Sequence, residues 1–203
     1  MTKKILEKKL PKGAFVVFND RPDFDFFEVT QVHGAEVLSP TNENREADGL
    51  FILNTSDLKA PLAIKTADCL PITLLGPDGV AHLHAGWRGL HQKIFLHEHV
   101  KELKPTYAFI GPAIHQESYE VGTEFLDHFP ELPECFTEGT NPGKYLFNLP
   151  KAASTFLSKS YPGITIEVSD LNTFTTPGHN SYRLNKTTTR NYNLYYPEHL
   201  YKK

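Results

Sequence analysis

Short apolar segments separated by Gly, Pro and Asn dominate this 203-residue chain, and few segments have helical spacing. Such runs, bounded by turn residues, are typical of buried strands. We predict strands over residues 14–18, 27–32, 61–67, 70–75, 79–85, 107–110 and 164–168. We predict helices after Gly89 (with Leu96, Val100 and Leu103 on one face), over 122–129 and over 149–158. This alternation predicts an α/β (α+β) fold with substantial sheet.

The length fits one large domain and is too short for two of ordinary size. No linker or internal repeat divides the chain, so we expect residues 1–203 to form a single domain. Two cysteines cannot form a disulfide framework, and reduced thiols favour a cytoplasmic protein. No apolar run has the length of a membrane span, and no secretory signal is recognisable.

A net charge of -3 argues against nucleic-acid binding through a basic surface. We therefore expect a cytoplasmic enzyme or small-ligand protein. The partners expected of it exclude nucleic acid, membranes and an obligate protein subunit.

Histidine is unusually clustered, because six of the 10 histidines lie in one short stretch: His82, His84, His91, His97, His99 and His115. In a strand, His82 and His84 lie on the same face as Val80. The glycine-flanked turn that follows would expose Arg88 beside the strand end. The pair is interpreted either as partly exposed histidines beside a turn or as catalytic or metal-binding groups.

Cys69 and His33 also lie at predicted strand ends. Cys69 follows a Thr-Ala-Asp break between two apolar runs, where a thiol suits metal binding or nucleophilic attack, although an isolated cysteine is most often an inert core residue. His33 precedes Gly34, which permits a tight turn. With His84 they offer one sulfur and two imidazoles, the donor set of a catalytic zinc if they converge in space. Cys135 has no metal-spaced companion and is interpreted as a structural or surface thiol.

Seven motifs occur in one order: QVHGAEV (31–37), ADGL (47–50), KTADCLPI (65–72), HAGWRGL (84–90), IGPAI (110–114), YEVG (119–122) and SYR (181–183). They resemble the YfiH family, also called the laccase-domain, multicopper polyphenol oxidase or peptidoglycan editing factor family. The likeness runs from about His33 to Arg190. The resemblance implies one domain of mixed β-sheets packed as a sandwich with outer helices.

The resemblance also implies a zinc ion held by His33, Cys69 and His84, with His82 as a neighbour rather than a ligand. It implies purine nucleoside phosphorylase activity on adenosine, inosine and methylthioadenosine with phosphate, and deamination of adenosine. Some members are instead linked to removal of wrongly built peptidoglycan precursors. The segment before QVHG, residues 19–29, is shorter than is usual in the family, so part of the substrate wall is expected to differ.

Three arginines are candidate phosphate-binding groups, since guanidinium matches phosphate bidentately: Arg88, Arg183 and Arg190. Arg88 is interpreted as catalytic, or alternatively as a salt-bridge partner that fixes its turn. Asp68 is interpreted as a catalytic or ligand-orienting carboxylate, or alternatively as a backbone cap at the strand break.

Three alternative functions would give these residues different roles. Copper oxidation of phenols would suit a His₂Cys site with a weak axial ligand, but Met1 is the only methionine. A cysteine hydrolase would use Cys69 as nucleophile and His84 as base. A zinc-stabilised binding protein would bind nucleosides or cell-wall precursors without turnover.

Overall fold

The computed structural model describes residues 2–201. Its strands are β1 (Lys4–Leu10), β2 (Gly13–Phe18), β3 (Val37–Leu38), β4 (Gly49–Ile52), β5 (Leu62–Thr66), β6 (Leu70–Leu75), β7 (Val80–Ala85), β8 (Tyr107–Ile110), β9 (Glu120–Gly122), β10 (Phe136–Glu138), β11 (Lys144–Phe147), β12 (Thr165–Val168) and β13 (Asn191–Tyr196). Its α-helices are α1 (Trp87–His91), α2 (Glu98–Glu102), α3 (Glu124–His128), α4 (Leu149–Ser160), α5 (Tyr182–Asn185) and α6 (Glu198–Tyr201).

Within the described residues the strands form three sheets. A mixed six-stranded sheet has the order β12-β8-β6-β7-β4-β3, and an antiparallel four-stranded sheet has the order β1-β2-β13-β5. The third sheet is small and has the order β10-β11-β9.

Two apolar cores cover the two faces of the six-stranded sheet. The first lies between the two larger sheets, where Phe15 of β2 and Ile64 of β5 share a core with Val80 of β7. The second joins the opposite face, including Leu83, to the helices and their connections, including Phe156 of α4. The predicted mixed α/β (α+β) fold, with packed sheets and outer helices, is confirmed.

Strand β7 shows the alternation expected from its sequence, but its histidines are not surface groups. His82 is fully buried and His84 is 2% exposed, so the interpretation as partly exposed histidines is wrong. His82 Nδ1 lies 3.0 Å from Thr73 Oγ1, and its Nε2 lies 2.9 Å from the backbone oxygen of Asn193 in the facing sheet. Burial lowers the pKa of His82 to about 4, so the neutral ring links the two sheets.

Two predicted elements differ from the structure. Residues 27–32 form isolated bridges to residues 62 and 46 rather than a strand, because their backbone hydrogen bonds go to separate segments of the chain. The predicted helix after Gly89 is divided into α1, a short 3-10 helix (Ile94–Leu96) and α2. The division occurs where Lys93 adopts a left-handed conformation, φ 57°, which an α-helix cannot contain.

No helix among residues 2–201 combines the length and apolar character that crossing a membrane requires.

Candidate metal centre

His33, Cys69 and His84 converge on one point at the edge of the six-stranded sheet. Their potential ligand atoms all lie within 4.8 Å of one another. The two imidazole rings meet edge to face, with centroids 4.8 Å apart. His33 is exposed, Cys69 is partly exposed and His84 is buried, so the cluster lies between solvent and core.

Strand pairing explains why residues distant in sequence meet here. Strands β6 and β7 are antiparallel, with Pro71 opposite His84 and Leu70 opposite Ala85. The start of β6 and the end of β7 therefore lie at the same edge of the sheet. Cys69, directly before β6, is thereby brought beside His84.

Asp48, which immediately precedes β4, organises both histidines. Its Oδ1 accepts a hydrogen bond from His84 Nδ1 at 2.7 Å. The same carboxylate accepts backbone N–H groups from Val32 (3.2 Å), His33 (3.0 Å) and Gly34 (2.6 Å). These bonds hold His33 in the left-handed conformation, φ 60°. Three backbone donors around one anion form a nest.

Asp48 is ionised despite its complete burial. Burial opposes ionisation, but hydrogen bonds from His84 and from the Gly34 and His33 backbones outweigh it and hold the pKa of the carboxyl below its usual range. Asp48 was not among the site residues predicted from the sequence, although it lies in the ADGL motif. The signal in the sequence was its position within that motif, directly before the apolar residues of β4.

The electrostatics of the cluster favour a thiolate–imidazolium pair of Cys69 and His84. Burial alone would raise the pKa of the Cys69 thiol, but the charge of His84 and hydrogen bonds from both histidines lower it to about 6. Burial alone would lower the pKa of His84, but the Cys69 charge and the hydrogen bond to Asp48 raise it to about 9. Cys69 is therefore a thiolate at neutral pH, the form that binds metals.

The three ligand residues and the groups that orient them suit a transition metal such as zinc. A thiolate and two imidazoles are the ligands that zinc prefers, and three protein ligands leave a further position open. Because Asp48 occupies Nδ1 of His84, only Nε2 of that ring is available to a metal. A Cβ at position 86 would lie 3.0 Å from Cys69 Sγ, so Gly86 leaves the sulfur its space.

Asp68 lies beside the cluster but bonds elsewhere. Its Oδ1 accepts a hydrogen bond from Thr173 Oγ1 at 2.8 Å, and its Oδ2 accepts one from the backbone N–H of Arg183 at 2.6 Å. These bonds tie the segment leading into α5 to the strand break before β6. Asp68 has φ 93°, an uncommon conformation for a non-glycine residue.

Residues of the metal cluster line two cavities. One of about 560 Å³ is lined by residues that include His33, Cys69, His84 and Arg190. A smaller one of about 150 Å³ is lined by residues that include His33, Cys69, Asp68, Arg88 and Arg183. The structure thus brings all seven predicted site residues to these two cavities.

The three arginines are held in different ways. The Arg88 guanidinium lies over the Trp87 ring at 4.6 Å. Arg183 Nη1 donates to the Glu120 carbonyl at 2.9 Å. Arg190 Nη1 donates to the carbonyls of two residues of its own loop. Each retains further N–H groups for a ligand, since guanidinium carries five donors.

Comparison with known proteins finds a matching family and solved structures of similar fold. The family model described as "Multi-copper polyphenol oxidoreductase laccase" matches residues 18–196. The fold is similar to that of a Neisseria meningitidis protein of the DUF152 family, with a TM-score of 0.75 and 28% identity over 85% of this chain and 75% of that one. It is also similar to YlmD from Geobacillus stearothermophilus, with a TM-score of 0.72 and 27% identity over 85% of this chain and 73% of that one.

Curated relatives carry the name purine nucleoside phosphorylase. The Haemophilus influenzae protein of that name is 35% identical over 143 residues, which are 64% of this chain and 57% of that protein. The Escherichia coli purine nucleoside phosphorylase YfiH is 32% identical over 176 residues, 79% of this chain and 69% of that protein. A Xylella fastidiosa relative is matched over 51% of its length, so the chain spans little more than half of some of these relatives.

Proposed function

Because this chain belongs to the multi-copper polyphenol oxidoreductase laccase family, whose relatives include proteins named purine nucleoside phosphorylase, we propose that it is a zinc-dependent purine nucleoside phosphorylase. Its proposed substrates are adenosine, inosine and methylthioadenosine, with deamination of adenosine as a side activity. The supporting observation is that the His33–Cys69–His84 cluster lies where two cavities with arginine-bearing walls meet.

His33, Cys69 and His84 would hold the zinc, and Asp48 would keep His84 in the tautomer that presents Nε2. Bound zinc supplies a Lewis acid that polarises an oxygen of the substrate or of water. The low pKa of Cys69 favours this role, because the thiolate is present at neutral pH without help from the metal.

Phosphorolysis replaces the C1′–N9 bond of the nucleoside with a C1′–O bond to phosphate, and the purine leaves with the bonding electrons. The protein must therefore hold a phosphate dianion against the ribose while positive charge develops at C1′. Arg88 and Arg183 line the smaller cavity, where two guanidinium groups would hold that phosphate. Arg190 lines the larger cavity, which has room for the nucleoside.

Asp68 would act on the same cavity. Its Oδ2 accepts the backbone N–H of Arg183, so it positions that arginine over the smaller cavity. A proton-transfer role would require one carboxylate oxygen to leave Thr173 or Arg183.

The Cys69–His84 ion pair also favours a second candidate, a cysteine hydrolase that edits peptidoglycan precursors. A thiolate beside an imidazolium is an activated nucleophile. The two proposals exclude each other chemically, because a thiolate bound to zinc is not free to attack. Metal content therefore separates them.

Copper is the metal that the family description suggests, and His₂Cys donors also suit it. We propose zinc, because a blue-copper site uses a weak axial ligand, commonly Met, and Met1 is the only methionine. A protein with two reduced thiols would work in the cytoplasm, which we propose as its location.

The test of the proposed function is incubation of the zinc-loaded protein with adenosine, with and without phosphate, and chromatography of the products. Phosphorolysis gives adenine and ribose 1-phosphate only when phosphate is present, and deamination gives inosine in both cases. Adenine release without phosphate would indicate a hydrolase. Binding of adenosine without any turnover would indicate a binding protein, and neither binding nor turnover would overturn the nucleoside assignment. Cys69→Ser serves as the inactive control.

A further inference from the structure

A second large cavity adjoins the candidate metal centre. It has a volume of about 410 Å³ and is lined by residues that include Arg21, Phe26, Glu28, Arg45 and Tyr192. Thr30 and Lys65 line both this cavity and the 560 Å³ cavity at the metal cluster. The two cavities therefore adjoin at these residues, and we refer to them together as the trench.

The trench is lined by more basic than acidic side chains. Four are basic, two in the outer cavity (Arg21 and Arg45), one shared between the cavities (Lys65) and one in the inner cavity (Arg190). Glu28 is the one carboxylate among the described lining residues of these two cavities. The whole chain has a net charge of -3, so this concentration of cations is local. A concave site lined by one sign of charge focuses the field on ligands of the opposite sign.

Glu28 neutralises only part of this charge. It pairs with Arg21 at 2.6 Å and with Lys65 at 2.8 Å, so one carboxylate serves two cations. The Arg21 guanidinium is also fixed over the ring of Phe26, at 4.6 Å from its centroid. Arg45 is different, because its Nη1 donates to the neutral carbonyl of Pro40. The remaining donors of the exposed Arg45 face a cavity that already carries excess positive charge.

We propose that this outer cavity binds a phosphoryl group carried by the substrate itself, so that the protein accepts a phosphorylated purine nucleoside in preference to the free nucleoside. The inference rests on the proposed function for the placement of the nucleoside in the inner cavity. Arg45 is the main contact in the outer cavity, and Lys65 lies between the two cavities. The phosphate co-substrate of the reaction is a separate group, since Arg88 and Arg183 line the smaller cavity and not this trench.

The experiment is titration calorimetry of the zinc-loaded full chain with adenosine 5′-monophosphate and with adenosine. We expect the monophosphate to bind at least about tenfold more tightly, the gain typical of one charged hydrogen bond. Arg45→Gln should remove most of that difference and leave adenosine affinity unchanged, whereas Arg45→Lys should restore part of it. Lys101→Gln, which removes the positive charge of an exposed side chain on α2, is the matched control and should alter neither affinity.

Equal affinities for the two ligands in the unmodified protein would overturn the inference, as would an equal loss in Arg45→Gln and Lys101→Gln. Both results leave the proposed function intact if adenosine is still converted. Conversely, Arg45-dependent binding of the monophosphate without turnover of either the monophosphate or adenosine would support the outer site and contradict the phosphorylase assignment.

Discussion

The Asp48 carboxylate and the His84 imidazole form a buried pair, with Oδ1 and Nδ1 2.7 Å apart. Both side chains are removed from solvent, and the backbone of the His33 loop binds to the same carboxylate. One residue thus sets the orientation of two candidate metal ligands from different parts of the chain. Such outer contacts fix the orientation of the ligands and thereby raise metal affinity.

Replacing Asp48 should therefore weaken metal binding without removing any ligand. We expect Asp48→Asn to lower zinc affinity about tenfold to a hundredfold, the usual effect of losing a carboxylate behind a metal-bound histidine. Competition with a chromophoric chelator measures the change. Asp68→Asn is the control, because Asp68 bonds to Thr173 and Arg183, and its zinc affinity should stay close to that of the unmodified protein. Equal losses in the two variants would contradict the role given to Asp48.

His82 and His84 share a strand face but should behave differently. We expect His84→Ala to abolish zinc binding and His82→Ala to leave it nearly unchanged. His82→Ala should instead destabilise the fold by about 2–4 kcal/mol, because it leaves a cavity and unpaired groups between the sheets. Metal analysis together with urea unfolding separates the two effects. Comparable zinc loss in both variants would mean that His82 contacts the metal.

The two cysteines should differ in reactivity once metal is removed. The pKa of Cys69 is about 6, whereas burial raises that of Cys135 to about 11. In metal-stripped protein at pH 7, iodoacetamide should therefore modify Cys69 first, with a rate that falls as the pH drops through 6. Added zinc should protect Cys69. Mass spectrometry of the peptides identifies the modified residue, and faster modification of Cys135 would contradict the ion-pair description.

Local pattern was sufficient to predict the central strands. The strand predictions at 70–75 and 107–110 match the observed bounds of β6 and β8, because each is a short, mostly apolar run that is buried throughout. The opposite faces of His82 and Leu83 followed from strand periodicity alone. Strand β1 was missed because its residues are mostly lysine, glutamate and partly exposed apolar groups, which resemble a surface segment.

Local sequence patterns were sufficient to predict only part of the site. The residues of the metal cluster were identified from their motifs, but their convergence depends on the pairing of β6 with β7 and β4 with β7, which no local pattern specifies. Asp48 was not assigned a role because its position in the motif does not show that its carboxylate bonds to Gly34 and His84. The outer cavity was missed because Arg21, Arg45 and Tyr192 come from separate parts of the chain.

The proposed role of Arg88 predicts that its loss weakens phosphorolysis more than deamination. If Arg88 binds the phosphate co-substrate, Arg88→Ala should raise the KM for phosphate more than the KM for adenosine, by about tenfold to a hundredfold for a lost charged hydrogen bond. Deamination uses no phosphate, so inosine formation should survive this substitution better than adenine release. Steady-state assays at varied phosphate and adenosine, with both products measured, provide the test.

Arg190→Ala is the comparison, because Arg190 lines the larger cavity and its loss should raise mainly the KM for adenosine. An Arg88→Ala enzyme whose phosphate KM is unchanged would show that the arginine only packs on Trp87 and stabilises the turn.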